Sequence, residues 1–195
     1  SGNKYRFDDF GTSAVTLDLQ EGGTYTFDQS DSSNATHPLR FYTAADKTGG
    51  EYTTGVTTNG TPGSSGAYTR ITVAASAPTL YYQCSAHAGM GGQVNTNSLF
   101  GSSNFSGSIQ STVSVNTTAG FSIVKWTGTG SAVTLGHGLG QKPDIFFVKR
   151  YTESSNWTVY TDVIDGTNDY LALNQTTAKG DSSNSIATTS VFQKS

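Results

Sequence analysis

Cysteine and methionine each occur once in this chain. They stand six residues apart with a histidine midway, in the run Tyr81-Tyr82-Gln83-Cys84-Ser85-Ala86-His87-Ala88-Gly89-Met90-Gly91-Gly92. A thiolate, an imidazole and a thioether on one short loop are three of the four side chains of a type-1 copper site, which takes two His and a Cys near a plane and a weak axial Met. The chain has three histidines. His37, upstream in His37-Pro38-Leu39-Arg40-Phe41, is the natural second imidazole. Taken singly, a lone Cys in a β-protein is ordinarily a small buried hydrophobe and a lone Met a core filler; it is the grouping that points to a metal.

The elements that must hold these side chains read as strands. Val15-Thr16-Leu17-Asp18-Leu19 alternates, Glu21-Gly22-Gly23 supplies a turn, and Thr24-Tyr25-Thr26-Phe27 alternates again, which predicts a hairpin. Leu39-Arg40-Phe41, Tyr68-Thr69-Arg70-Ile71-Thr72-Val73 and Thr79-Leu80-Tyr81-Tyr82-Gln83-Cys84 also place apolar residues at every second position. Cys84, in phase with Leu80 and Tyr82, is predicted to point inward. The tight loop after it can fold His87 and Met90 over the same point, and His37 opens a strand after a polar turn at the same end. Asn59-Gly60-Thr61-Pro62-Gly63 carries turn chemistry, and no window shows a capped helical stripe.

Residues 1–96 are therefore expected to form one antiparallel β-sandwich. Residues 97–118, rich in Ser, Asn and Gly apart from Phe100, Phe105 and Ile109, read as a packed connector. Residues 119–195 read as a second β module. Its expected strands are Phe121–Trp126, Ala132–Leu135 and Asp144–Arg150, the last joined through Thr152–Asn156 to Trp157–Tyr160 as a hairpin, followed by Tyr170–Leu173. The polar stretch after Gly180 leaves room for a strand from another chain or an extension. The fold class is all-β.

Composition narrows the function classes. The 195 residues carry a formal charge of −3 with a pI near 5.4, without the basic excess that phosphate binding needs, so nucleic acid is not an expected partner. Charged residues are only 13%, and Gly, Ser, Thr and Asn fill the intervals between apolar patches, a balance suited to β-proteins with hydroxyl- and amide-dressed surfaces. No apolar stretch approaches the roughly 18–20 residues of a membrane span, and no basic-then-apolar signal segment opens the chain, so membrane insertion is not expected. One cysteine excludes an internal disulfide.

Residues 1–92 resemble a cupredoxin, the family of small blue-copper sandwiches that includes plastocyanin and amicyanin. The resemblance rests on a His before a strand and on the spacing Cys-x-x-His-x-x-Met late in the domain. It implies Cys84 as thiolate ligand, His37 and His87 as neutral imidazoles and Met90 as a long axial contact. One position departs from it. Electron-transfer members commonly carry Asn after the first His, whose backbone N–H bonds the ligand sulfur, and Pro38 has no N–H to give. That argues against electron transfer as the purpose more than against metal binding.

Gly120-Phe121-Ser122-Ile123-Val124, Thr127-Gly128-Thr129-Gly130, Gly136-His137-Gly138-Leu139-Gly140 and Pro143-Asp144-Ile145-Phe146-Phe147-Val148-Lys149 resemble a module of virion proteins of tailed phages, especially marine ones. The first half is similar to copper-loop modules joined to that unit. This implies a virion or extracellular structural protein, a tail, fibre or other appendage, that associates with copies of itself and with other virion proteins and carries a copper-capable site. Two other classes stay open. One is an electron-transfer cupredoxin with an appended domain; the other is an adhesin that binds host-surface glycan.

The remaining features point to structure. His137 in its glycine-rich turn lacks the strand-to-helix context of a phosphate loop and is expected to bond turn backbone. Trp126, Tyr151, Trp157 and Tyr160 could stack on sugars but are expected to be cross-strand packing pairs. Asn-x-Ser/Thr sequons such as Asn34-Ala35-Thr36 and Asn104-Phe105-Ser106 are what chance supplies in such a composition. Catalysis finds no Ser-centred elbow, no second Cys and no carboxylate pair beside a base, so no enzymatic activity is expected.

Overall fold

The computed structural model describes residues 2–164, 168–182 and 191–194, and they form an all-β protein. It divides into two compact units, residues 1–105 and 106–195. The first contains β1 (Leu17–Asp18), β2 (Thr24–Asp28), β3 (Leu39–Tyr42), β4 (Val56–Asn59), β5 (Tyr68–Thr72), β6 (Leu80–Cys84), β7 (Gly91–Asn95) and β8 (Ser102–Asn104). One sheet runs β1-β7-β6-β3 and a second runs β2-β5-β4.

The two sheets of this unit enclose one core. Leu17, Leu39, Phe41, Leu80, Tyr82, Cys84 and Val94 come from the first sheet and meet Ile71, Phe27, Tyr25 and Val56 from the second. In β6 the inward set is Leu80, Tyr82 and Cys84, all fully buried, as the two-residue period requires. Each of the larger apolar side chains buried here stabilises the fold by about 1.5–3 kcal/mol relative to exposure. Aromatic rings bridge the layers: Phe27 meets Phe41 edge-on at 5.6 Å, and Phe7 sits 5.2 Å from Tyr82 and 5.7 Å from Phe27.

The expected hairpin between residues 15–19 and 24–27 does not form. β1 pairs in parallel with β7, Leu17 opposite Val94, whereas β2 pairs with β5 in the other sheet. Alternation specifies a face, not a partner, and the turn after β1 carries the chain from one layer to the other. There Gly22 N–H donates to the Val73 carbonyl, and Val73 N–H donates to that of Gly23. The sandwich is accordingly antiparallel except at this one pair.

The second unit contains β9 (Ser111–Asn116), β10 (Phe121–Lys125), β11 (Val133–Gly136), β12 (Ile145–Val148), β13 (Thr158–Thr161), β14 (Asn168–Ala172), β15 (Gly180–Ser182) and β16 (Val191–Lys194). β9 and β10 form a hairpin, β11 pairs with β16, and β12-β13-β14-β15 form an antiparallel meander. The expected hairpin of residues 144–150 with 157–160 is present, with Ile145 opposite Thr161 and Val148 opposite Thr158. The expected connector, 97–118, instead carries strands. β8 belongs with the first unit, where Ser103 Oγ accepts from Asp18 N–H and Phe105 stacks on Phe7. β9 alternates through the buried Ser111 and Val113. Much of the polar stretch after Gly180 falls on residues 183–190, outside the described residues.

Candidate metal site

β3 and β6 run antiparallel with Leu39 opposite Cys84, so the start of one strand lies beside the end of the other. His37, two residues before Leu39, is thereby delivered to the position where Cys84 leaves the sheet. The turn before it is a short 3-10 helix over Ser32–Asn34, capped by the Asp31 carboxylate, which accepts from Ser33 N–H. His37 N–H closes that turn on the Asn34 carbonyl.

The loop from Ser85 to Met90 is closed at its base by a bond from Cys84 N–H to the Met90 carbonyl, 2.9 Å. Gly89 adopts φ +66°, a conformation that favours glycine. The chain then re-enters the sheet at Gly91, opposite Gln83. A Cβ at Gly91 would lie 2.1 Å from the Tyr82 carbonyl oxygen, so only glycine permits that approach. Side chains fix the loop from outside. Lys4 Nζ donates to the Gly89 carbonyl, Gly89 N–H to Asp46 Oδ1, Lys47 Nζ to the Ser85 carbonyl and Gln83 Nε2 to the His87 carbonyl.

Three of the four expected ligands converge. Cys84 Sγ lies 3.4 Å from His87 Nδ1 and 3.7 Å from His37 Nδ1. All three donor atoms lie within 4.8 Å of one another, and the imidazole rings are 4.6 Å apart. A nitrogen and a sulfur bound to one ion at about 2.0 and 2.3 Å, about 120° apart, sit roughly 3.7 Å from each other. The two sulfur–nitrogen separations thus match those of ligands on a single metal ion. Cys84 is fully buried and His87 is exposed, so the thiol is sheltered while one edge of the site meets solvent. Met90, the fourth expected ligand, is buried in the same core cluster as Cys84.

Further groups stand behind the ligands. The His37 carbonyl accepts from Tyr5 Oη at 2.7 Å and from Gln29 Nε2 at 2.9 Å. Burial holds the Tyr5 phenol far above its ordinary value. The Asn3 amide lies 3.4 Å from His37 Nε2. Sequence reading missed Asn3, Lys4 and Tyr5, because they belong to an irregular segment in which no periodicity marks a buried side.

Residues 95–195 match the model of a family described as a domain of unknown function, DUF7483. The chain belongs to the DUF7483 family. No curated protein and no solved structure matches it. The DUF7483 match begins at the last residue of β7, so His37, Cys84 and His87 lie in the sequence that precedes it. Within the DUF7483 segment, His137 is fully buried and its Nδ1 accepts from Leu139 N–H, the turn-backbone bond expected of it. Tyr160 is a packing residue, stacked on Phe146 at 5.0 Å and tilted against Tyr170 at 6.3 Å. Tyr151 and Trp157, expected to pack as cross-strand pairs, are instead exposed.

Proposed function

We propose that the first unit of this DUF7483 protein is a mononuclear copper-binding β-sandwich, with His37, Cys84 and His87 as equatorial ligands and Met90 as the axial one. The observation that carries the reading is the approach of two Nδ1 atoms to one buried sulfur at metal-spanning distances. A His2Cys set favours copper over harder cations because the thiolate is soft and the imidazoles are borderline. Titration with Cu(II) should give the intense visible absorption of a thiolate–copper bond. Cys84→Ser should abolish it while far-UV circular dichroism stays unchanged, and a spectrum indifferent to that substitution rejects Cys84 as a ligand.

The setting we propose is structural and non-catalytic: an appendage of a tailed-phage virion that associates with copies of itself. A specific feature of the second unit supports association. By strand register, Ile145 and Phe147 of β12 share one face with Trp157 and Leu173, which flank β13 and β14, and all four are about half exposed or more. Monomeric proteins rarely leave contiguous apolar patches of more than a few hundred Å² in water. Sedimentation of the full chain should show a concentration-dependent oligomer that Phe147→Ser with Ile145→Ser weakens. Electron microscopy of particles lacking the chain, with the protein present only as a free monomer, overturns the virion setting.

A further inference from the structure

A carboxylate of the second unit stands out away from the metal cluster. Asp169 of β14 is fully buried, and its Oδ2 has no hydrogen-bond partner among the described residues. Buried polar atoms are ordinarily satisfied, because an unmet one costs free energy. By strand register Asp169 shares a rung with Thr161 of β13 and Asp181 of β15, and the next rung on the same face pairs Val159 with Leu171. The Thr161 hydroxyl does not serve the carboxylate; it donates to the Asp144 carbonyl at 2.7 Å. An amine does reach it. Lys179 Nζ donates to Asp169 Oδ1 and, at 3.1 Å, to Asp181 Oδ1. The Lys179 side chain is 36% exposed and that of Asp181 74%, so the amine and the second acid stand on the solvent side of a carboxyl group that water does not reach.

We propose that the Lys179 amine and the Asp169 carboxyl condense into a side-chain isopeptide bond, with Asp181 as the proton relay. Nζ forms a bond to Asp169 Cγ, the bond from Cγ to one carboxylate oxygen breaks, and that oxygen leaves as water with two of the three ammonium protons. The third proton stays on the amide nitrogen. Atoms and charge balance, and no oxidant, reductant or co-reactant enters. Asp181 takes protons from the nitrogen and passes them to the departing oxygen, which is general acid–base work. Two features favour the step. Groups held in contact by neighbouring strands need no encounter, and well-oriented pairs of this kind react as if at about 10⁵–10⁸ M. Condensation also exchanges an ion pair with one wholly buried partner for a neutral amide, and replacing buried ion pairs by neutral groups is often neutral or stabilising. The bond ties β14 to the residue before β15 and holds the last hairpin of the meander shut. It is independent of the metal-binding reading, since every group in it lies in the second unit.

Intact-mass spectrometry of the purified full chain, followed by digestion with trypsin, tests the bond. The wild-type chain should weigh one water less than its sequence. Trypsin cuts after Lys and Arg but not after an acylated lysine, so the linked chain should yield one peptide, Tyr151–Lys194, that is also one water light. Lys179→Arg keeps a cation beside Asp169 without an amine that condenses, and it should show the full sequence mass and be cut after position 179. Asp181→Asn, at an exposed position, should keep the fold by circular dichroism and slow the condensation about 100-fold or more, read as full-mass chain that loses water slowly on incubation. A wild-type chain at its full sequence mass overturns the proposal. A water loss that leaves Lys179 open to trypsin also overturns it, because the dehydration then lies elsewhere. An Asp181→Asn chain that is linked as fast as wild type overturns the relay.

Discussion

Gly91→Ala tests how the ligand loop is locked to the sheet. The new methyl would stand 2.1 Å from the Tyr82 carbonyl oxygen and 2.3 Å from Gln83 Oε1. The glutamine can turn aside; the carbonyl cannot, because Tyr82 sits in the middle of β6, opposite Phe41 of β3 and Gly92 of β7. Relief must come from β7 moving away, which opens the rung between Gln83 and Gly91. The bond from Cys84 N–H to the Met90 carbonyl is the next in line. Overpacking costs about 1–3 kcal/mol and a lost backbone hydrogen bond about 1 kcal/mol more, giving about 2–4 kcal/mol. In a domain of this size that lowers the melting temperature by about 10–25 °C. Gly50→Ala is the reference, because a Cβ there meets nothing within 4 Å and such surface changes stay within about 0.5 kcal/mol. Thermal melts followed by circular dichroism, with and without Cu(II), give both numbers. A Gly91→Ala protein that melts within 2–3 °C, or about 0.5 kcal/mol, of Gly50→Ala refutes the reasoning.

Other outcomes follow from the same structure. Phe41→Ala, at a fully buried site between the sheets, should cost about 3–5 kcal/mol in a urea titration. Lys179→Met should cost a similar amount, about 3–5 kcal/mol, since it strips the cation from the fully buried Asp169. Adding Asp169→Leu should restore much of that loss, and a double variant no better than the single one contradicts the pairing. The Asp31 carboxyl lies below its ordinary value because Ser33 donates to it, and Asp28 does so through Ser30. A depressed folded value means the contribution is complete above the ordinary carboxylate range and is lost as pH falls through the folded one. Stability of the turn before His37 should therefore be flat from pH 7 to about 5 and decline only in stronger acid, which amide exchange of Ser33 can follow.

Much of the site was legible because its residue types are rare and local. Cys84 and His87 share a loop whose strand phase fixes the direction of the sulfur, and His37 is one of only two other histidines. The strands legible in the sequence were those with an uninterrupted apolar alternation, such as β5 and β6. β7 escaped because its first two residues are glycines, and β9 because Val113 and Val115 stand among hydroxyl residues that mimic a connector. The false hairpin at residues 15–27 shows a different limit. Period and turn chemistry predict where a chain reverses, but the partner of β1 lies at Val94, a choice made by core packing between distant segments. The N-terminal residues beside the site gave no sequence signal, since Asn3 and Lys4 reach it through polar ends and Tyr5 stands alone in an irregular stretch.

The parallel pairing of β1 with β7 sets how the first unit answers a pull. Tension applied at its two ends draws Leu17 and Val94 in opposite directions along their strands, so the rungs between them are loaded together in shear. An antiparallel terminal pair would instead open like a zipper, one rung at a time. Leu17 with Val94 and Asp18 with Asn95 must therefore give way together before the strand that leads out of the loop is freed.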